Sequence, residues 1–253
     1  MSVCSHKPAR RLVETRYIGI DISKARCRAA IMDKEGSIME EFAFENSHEG
    51  IESFASKLSM NDRVAMESTG SVWESLYNKL DDRRISVILA NPLKTKAIAS
   101  ARIKSDKVDA RTLANLLRAN LIAESYVPSK PLREIRTLVR HRASIVKIRT
   151  MIKNRAHALI DKHGFKYECS DLFGKKGLKW LRTLELDALD RLILSDYIEH
   201  IEFLNNQIKR IDEEIRVKAS KDEDVRLLLS MTGIDVYTAL LIKSEIGSID
   251  RFQ

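Results

Sequence analysis

The fold is decided by residues 17–46, which read YIGIDISKARCRAAIMDKEGSIMEEFAFEN. Residues 17–22 and 27–32 are mostly apolar, and a partly apolar run follows the turn signal DKEG at 33–36. The connections are too short for a crossover helix, so we expect these segments to be antiparallel neighbours in one sheet. The opening of the chain therefore predicts three consecutive antiparallel strands.

After these strands the spacing of the apolar residues alternates between the spacing typical of a helix and that typical of a strand. Helical spacing over 47–58 leads to a strand at 63–67, which can lie parallel to the first strand. A capping box, Ser71-x-x-Glu74, opens a helix to about residue 82, and residues 85–90 form a fifth strand. This order predicts an α/β domain with a ribonuclease-H-like mixed five-stranded sheet. An actin-like ATPase domain begins in the same way, so the order alone leaves both open.

The chain beyond Pro92 is predicted to be helical throughout. One helix is expected from Ser105 to about Ile122, and Val127-Pro128 closes the first domain. Two long helices follow, the first over 131–163, with apolar residues at three-four spacing. The expected seams are Leu138, His141, Ile145, Ile148, Ile152, Arg155 and Leu159 in the first helix and Leu194, Tyr197, Ile201, Leu204, Ile208, Ile211 and Ile215 in the second. These seams predict an antiparallel helical hairpin or an oligomerising coiled coil.

These patterns divide the chain into four parts. We expect a basic N-terminal tail at 1–14, the α/β domain at 15–128, a helical coiled-coil segment at 129–222 and the beginning of a small helical domain at 223–253. No apolar run approaches the ~18 residues that span a bilayer, and the basic N-terminus lacks the apolar core of a secretory signal. We therefore expect a soluble, cytoplasmic protein without a membrane partner.

The excess positive charge is concentrated in one helical segment. The chain has 44 basic and 36 acidic residues, a formal net charge of +8, and residues 131–166 hold ten basic but two acidic residues. A surface that tracks nucleic-acid phosphates explains this one-sided sign better than a solvated coiled-coil face, which would mix both signs. A membrane-surface helix would carry Trp or Phe, and residues 131–163 have neither. The expected nucleic-acid contacts are Arg133, Arg136, Arg140, Lys147, Arg149, Lys153 and Arg155, together with Lys24, Lys104 and Lys107.

Four acidic residues stand out by their positions. Asp21 lies inside an apolar strand, where an uncompensated charge is unfavourable, and Glu67 ends the parallel strand expected beside it. Asp106 and Asp109 are three residues apart, so a helix would present both on one face. Two-metal phosphodiester cleavage needs such a carboxylate cluster, and hard divalent cations prefer oxygen ligands. These four residues are the candidate catalytic residues and metal ligands, with Mg²⁺, or Mn²⁺ in its place, as the cofactor.

Each of these residues also has an ordinary structural explanation. Asp106 and Asp109 would interact favourably with the dipole in the first turn of a helix. Asp21 could begin a turn or belong to the phosphate loop of an actin-like ATPase, and Glu67 could be a strand-end carboxylate with satisfied hydrogen bonds. Only the combination of all four, on elements that converge in a ribonuclease-H-like sheet, favours catalysis.

Several short motifs match one known family in order and spacing. They are YIGIDISK at 17–24, MESTG at 66–70, NP at 91–92, KSDKVDA at 104–110, MTGID at 231–235 and EIGSIDRF at 245–252. From Tyr17 onward the chain therefore resembles the DEDD transposases of bacterial and archaeal insertion sequences, whose N-terminal domain is RuvC-like.

The resemblance implies a function that composition does not indicate. It implies that Asp21, Glu67, Asp106 and Asp109 are Mg²⁺ ligands. It also implies a site-specific recombinase that moves circular element intermediates, with a structured guide RNA that pairs with target and donor DNA. In that family a nucleophilic serine in the second transposase domain completes the site between subunits, and the helical segment forms dimer and tetramer contacts.

The sequence departs from the family in two places. The usual Pro-Gly-Ile-Gly turn reads TGID at 232–235, and the chain stops at Gln253, before the region where the serine would fall. We assign that serine to no residue and expect this chain alone not to complete strand exchange. Two other functions stay open, namely a stand-alone nuclease of the Holliday-junction-resolvase kind and a non-catalytic nucleic-acid-binding coiled-coil protein.

Overall fold

The first part of the chain is an α/β unit. A computed structural model describes residues 14–67, 70–102 and 109–252, and the chain divides into two units, Met1–Val127 and Pro128–Gln253. The strands are β1 (Tyr17–Ile22), β2 (Arg26–Met32), β3 (Ile38–Glu45), β4 (Arg63–Glu67) and β5 (Ser86–Ala90). The helices of this unit are α1 (His48–Ser56), α2 (Glu74–Asp82), α3 (Pro92–Arg102) and α4 (Ala110–Arg118).

The five strands form one mixed sheet in the order β3-β2-β1-β4-β5. β1, β2 and β3 pair antiparallel because their connections are short, whereas β1 with β4 and β4 with β5 pair parallel across the helical crossovers α1 and α2. The predicted fold class, a ribonuclease-H-like mixed five-stranded sheet, is confirmed.

The two faces of the sheet pack against different helices. Successive residues of a strand point to opposite faces, so Ile18 and Ile20 of β1 lie in a core that α1 and α2 complete with Phe54 and Leu76. The opposite face packs against α4, and its buried cluster consists of Ala65, Ala90, Leu113 and Leu117. The fully buried residues that the sheet contributes to this second cluster are small, which lets α4 come close.

Gly19 of β1 is the point of closest approach between sheet and helix. A Cβ atom placed on Gly19 would lie 2.0 Å from the carbonyl oxygen of Ala110 and 2.4 Å from the backbone nitrogen of Ala114. Both atoms belong to the backbone of α4, so they cannot rotate out of the way as a side chain would. Only glycine therefore allows α4 to lie against β1 at this distance.

The predicted capping box at the start of α2 is wrong. The helix begins at Glu74, and its N-cap, Trp73, makes no side-chain capping hydrogen bond. Residues 70–73 form a turn instead, in which the Glu74 N–H donates to the Ser71 carbonyl oxygen at 3.2 Å. The chain thus enters α2 through a turn rather than through a reciprocal side-chain cap.

The predicted helix from Ser105 to Ile122 is also wrong in its start. α4 begins at Ala110, because Asp109 has an extended backbone with φ −114° and ψ −178°. The residues from 103 to 108, which include Asp106, lie outside the described residues. Asp109 precedes the helix as its cap, so the prediction that it lies on a helical face is wrong for Asp109.

The second unit is helical. Its helices are α5 (Lys130–Lys162), α6 (Lys175–Thr183), α7 (Ala188–Ser220), α8 (Glu223–Leu229) and α9 (Val236–Ile246), followed by a 3₁₀ turn at Ile249–Phe252. α5 and α7 pack antiparallel, as three polar contacts among the described residues show. They are Arg142 to Asp212 at 2.5 Å, Arg149 to Asn205 at 2.7 Å and Lys162 to Asp190 at 2.7 Å. The antiparallel hairpin, one of the two predicted arrangements, is confirmed.

The predicted seam is correct on α7 and wrong on part of α5. On α7 the buried residues include Leu194, Ile201, Leu204, Ile208 and Ile215. On α5, Ile145 and Ile152 are buried, but His141, Ile148 and Arg155 are exposed. Val139, Ala156 and Ile160 are buried in their place, and Arg142 and Arg149 take the intervening positions toward α7. The aliphatic part of an arginine side chain can pack at such a position, and a search for apolar residues alone misses it.

No helix within the described residues is both long enough and apolar enough to cross a membrane.

We expect Gly19→Ala to lower the free energy of unfolding of the first unit by about 3 kcal/mol, the upper end of the overpacking range. The added methyl group would collide with the α4 backbone, so the whole helix must move. Urea unfolding followed by circular dichroism measures the change.

Gly70→Ala is the matched control for this substitution. Gly70 has a φ of +60°, and a methyl group added there would meet no other atom within 4 Å, so the expected change is the ~1–2 kcal/mol of a left-handed alanine. Equal losses for the two variants would contradict the steric argument at Gly19.

Candidate active site

Asp21 and Glu67 lie next to each other at one end of the sheet. β1 and β4 are parallel, and their register pairs Gly19 with Ala65 and Ile20 with Met66, so the residues that follow are neighbours. Both side chains are partly exposed, unlike the buried residues that precede them. The fold thus brings two of the predicted site residues together at the carboxyl ends of parallel strands.

Asp109 reaches the same face of the sheet as the N-cap of α4. Its Oδ1 atom accepts a hydrogen bond from the Thr112 N–H at 2.8 Å. α4 packs against β1 at Gly19, two residues before Asp21, so this close approach brings the start of the helix toward the carboxyl end of the strand. Asp109 therefore has a structural role as a cap in addition to its predicted role as a ligand.

A depression of about 410 Å³ lies between the start of α4 and strands β1 to β3. Its charged lining residues are Asp21, Arg28, Glu41, Asp109 and Arg111. Asp21 and Asp109 were predicted as site residues, whereas Arg28, Glu41 and Arg111 were missed. Arg28 could have been suspected from the short turn between β1 and β2, which places it opposite Asp21, but no sequence pattern pairs Glu41 with Arg111.

The charges in and beside the depression affect one another. Burial raises the pKa of the Glu67 carboxyl above its ordinary value, and the negative charge of Asp21 raises it further. The hydrogen bonds from Arg111 lower the pKa of Glu41. Like charges thus oppose each other at Asp21 and Glu67, while Glu41 is neutralised by an arginine.

The described carboxylates of this site do not bring three donor atoms close enough together to hold a metal ion by themselves. Within the described residues, the one group of three metal-ligating side chains with donor atoms all within 4.8 Å is His163, Asp187 and Asp190. Asp21, Glu67 and Asp109 do not meet that criterion, and Asp106 lies outside the described residues.

The group at His163 has its own structural explanation in the α5–α7 hairpin. Asp187 caps α7 by accepting the Asp190 N–H at 2.9 Å. The Asp190 carboxylate contacts the Lys162 ammonium at 2.7 Å and the His163 Nε2 at 2.6 Å. The Lys162 ammonium and the His163 ring already contact this carboxylate, so we do not assign the predicted metal ion to it.

Several of the predicted nucleic-acid contacts on α5 have partners within the helical unit. Arg140 forms a bidentate ion pair with Glu245, and Arg136 donates to the Ser244 carbonyl oxygen at 2.6–2.8 Å. Arg149 contacts Asn205 on α7. The basic character of α5 therefore serves packing as well as any external ligand.

The other predicted contacts are placed as follows. Lys147 and Arg155 are exposed and line a shallow surface depression of about 650 Å³. The Lys153 ammonium lies 5.0 Å from the centre of the Phe173 ring, and the Arg133 guanidinium donates to the Pro128 carbonyl oxygen at 2.6 Å. Lys24 is exposed after β1, whereas Lys104 and Lys107 lie outside the described residues.

Comparisons with known proteins point to one family. A family model for DEDD transposases, with the description "Transposase", matches residues 18–164. The chain is 24% identical over 241 residues to "Putative transposase y4qE" of Sinorhizobium fredii, covering 94% of this chain and 60% of that protein. It is also 24% identical over 246 residues to "Transposase for insertion sequence element IS1533" of Leptospira borgpetersenii, covering 94% of this chain and 71% of that protein.

We expect Glu67→Gln to stabilise the metal-free fold at neutral pH. A carboxyl whose pKa is raised by folding binds its proton more tightly in the folded state, so its ionisation at neutral pH favours unfolding. The melting temperature measured with a chelator present should be higher for the variant at pH 7. The difference should vanish below about pH 4, where the carboxyl is protonated in both states.

Glu45→Gln is the control, because it removes the same charge from an exposed position on β3. It should leave the melting temperature unchanged at both pH values. A Glu67→Gln variant that is less stable than the wild type at pH 7 would overturn the electrostatic explanation.

Proposed function

Because this chain belongs to the DEDD transposase family, we propose that it acts as the transposase of an insertion sequence and cleaves DNA in a Mg²⁺-dependent reaction. The observation that supports this most directly is the meeting of Asp21 and Glu67 at adjacent strand ends, with Asp109 and Asp21 lining one depression. Family membership supports a DNA-modifying enzyme, and the carboxylates supply the chemistry.

The donor set suits a hard divalent cation. Asp21, Glu67 and Asp109 offer carboxylate oxygens, which Mg²⁺ and Mn²⁺ prefer, and DEDD transposases generally use a divalent metal ion. Burial and, after it, repulsion by Asp21 raise the pKa of Glu67, and a bound cation would favour the ionised carboxylate against both effects. Such an ion would activate the attacking oxygen and stabilise the leaving oxygen of the phosphodiester. Asp106 completes the proposed ligand set, as the family resemblance implies.

The chain's own residues would orient this chemistry. The Thr112 N–H holds Oδ1 of Asp109, so the carboxylate keeps a fixed orientation, and its Oδ2 atom accepts no hydrogen bond from the described residues. Asp21 and Glu67 are held by the parallel pairing of β1 and β4, which makes them rigid relative to each other. These carboxylates would also keep a DNA phosphate away unless a cation or a basic side chain offsets their charge.

The proposal extends to partners and to domain organisation. Its partners are the ends of the insertion sequence, target DNA, a structured guide RNA and further copies of the chain, as a dimer or tetramer through the helical segment. The α/β part at 15–128 would carry out catalysis, the helical part at 129–222 would assemble subunits and bind nucleic acid, and 223–253 would begin the second transposase domain. These steps would take place in the cytoplasm, with 1–14 as a basic tail.

The chain spans about 60% of the length of the Sinorhizobium relative and 71% of the Leptospira relative. Complete strand exchange is therefore proposed for the whole protein. In this chain the exposed Lys24, Lys147 and Arg155 are the predicted nucleic-acid contacts with the freest access to a phosphate backbone.

We expect the wild-type chain to bind Mn²⁺ and Mg²⁺ in isothermal titration calorimetry, and Asp21→Asn to lose this binding. The substitution removes a central ligand but keeps the shape of the side chain. Asp190→Asn is the matched control, because it removes a carboxylate from the group at His163 in the helical hairpin. Circular dichroism checks that both variants are folded.

Metal binding that is lost in Asp190→Asn but kept in Asp21→Asn would move the ion to the hairpin and contradict the proposal. A nuclease assay separates the remaining functions. Metal-dependent cutting of branched DNA by this chain alone would favour a resolvase-like nuclease. DNA affinity that depends on salt but not on the acidic residues, with no metal binding, would favour a non-catalytic binding protein.

A further inference from the structure

Two arginines lie beside the carboxylates in the depression between the start of α4 and strands β1 to β3. Arg28 of β2 is the register partner of Asp21 of β1, so both side chains leave the same face of the sheet. Arg111 is in the first turn of α4, two residues after Asp109, and lines the same depression. The depression therefore holds positive charge on two of its walls, close to carboxylates that would otherwise repel an anion.

The two arginines differ in their partners. Among the described residues, the exposed guanidinium of Arg28 has no hydrogen bond or ion pair. The guanidinium of Arg111 forms two hydrogen bonds to the two carboxylate oxygens of Glu41 on β3, and about two thirds of the Arg111 side chain is exposed. Within this part of the chain, one arginine is thus free to bind an anion, and the other already holds one.

We propose that Arg28 and Arg111 form a binding subsite for a DNA backbone phosphate, and that Glu41 occupies Arg111 until a phosphate replaces it. The subsite rests on the proposed function, since it would hold the strand that the neighbouring carboxylates act on. A phosphodiester presents two oxygens to an arginine much as a carboxylate does, so the exchange keeps both hydrogen bonds of Arg111. An ion pair this exposed is held weakly enough to be exchanged.

The arrangement accounts for the otherwise unfavourable charge of the site. A DNA strand that approaches Asp21 and Asp109 meets negative charge, and two guanidinium groups in the same depression offset it. Glu41 lies on β3, an edge strand of the sheet, so its carboxylate can return to water when a phosphate displaces it from Arg111. The contact would position the strand without reading its sequence.

The test measures binding of a short fluorescein-labelled DNA duplex by fluorescence anisotropy over a range of salt concentrations, with a chelator present. Arg28→Gln and Arg111→Gln should each weaken binding about tenfold and reduce the slope of log K against log salt by about 0.9, the value for one lost phosphate contact. Arg63→Gln, which removes the same charge at the far end of β4 from Glu67, should leave the slope unchanged.

Glu41→Gln tests the exchange at Arg111. This variant should bind DNA more tightly than the wild type, and the loss caused by Arg111→Gln should be greater in the Glu41→Gln background than in the wild type. If the two losses are equal, Glu41 does not compete with DNA and that part of the proposal is wrong. Circular dichroism of each variant shows whether α4 remains folded.

The outcomes separate the subsite from the proposed function. A wild-type chain that binds DNA, with Arg28→Gln and Arg111→Gln both indistinguishable from Arg63→Gln, would overturn the subsite alone. A wild-type chain that binds neither DNA nor a divalent ion would overturn the proposed function. The same series with RNA of the same sequence identifies the strand, because losses confined to RNA would contradict the assignment to DNA.

Discussion

The contact between α4 and β1 at Gly19 is the constraint on which the candidate site depends. The helix backbone lies so close to the strand that no side chain fits between them. This contact lies two residues before Asp21, and the helix that makes it is capped by Asp109. A larger residue at this position would separate the two carboxylates by moving the helix, even though it touches neither of them. The packing of α4 against β1 and the relative position of Asp21 and Asp109 thus both depend on the absence of a side chain at Gly19.

The α/β unit also keeps two carboxylates in an electrostatically unfavourable arrangement. Amides in place of Asp21 and Glu67 would remove their mutual repulsion, and the pKa of Glu67 is raised by burial and by the charge of Asp21. Elsewhere the chain neutralises its partly buried carboxylates, as at Asp212 with Arg142 and at Asp222 with Lys243. A pair of carboxylates that has no such ion pair among the described residues is typical of a site that awaits an external cation.

The topology of the sheet could be predicted from the sequence, whereas the boundaries of the helices could not. Strand order followed from alternating apolar residues and from connections too short to cross over, which are local properties. The start of α4 could not be predicted in this way, because Asp109 fits a cap as well as a first helical turn, and the structure shows that it is the cap. Arg111 and Glu41 are 70 residues apart, so only the folded chain reveals their ion pair. Arg28 is an ordinary strand residue until the strand that it faces is known.

The polar contacts of the α5–α7 hairpin also fix how the two helices are aligned along their length. Apolar seams with a seven-residue repeat are nearly as well satisfied after a slip of one heptad, about 10 Å along the axis. A slip in one direction would bring Arg149 opposite Asp212 but leave Arg142 opposite Ala219. A slip in the other direction would bring Arg142 opposite Asn205 but leave Asp212 opposite Ile135, so neither slip keeps both polar pairs. The interspersed polar pairs therefore select one alignment from several that hydrophobic packing alone would tolerate.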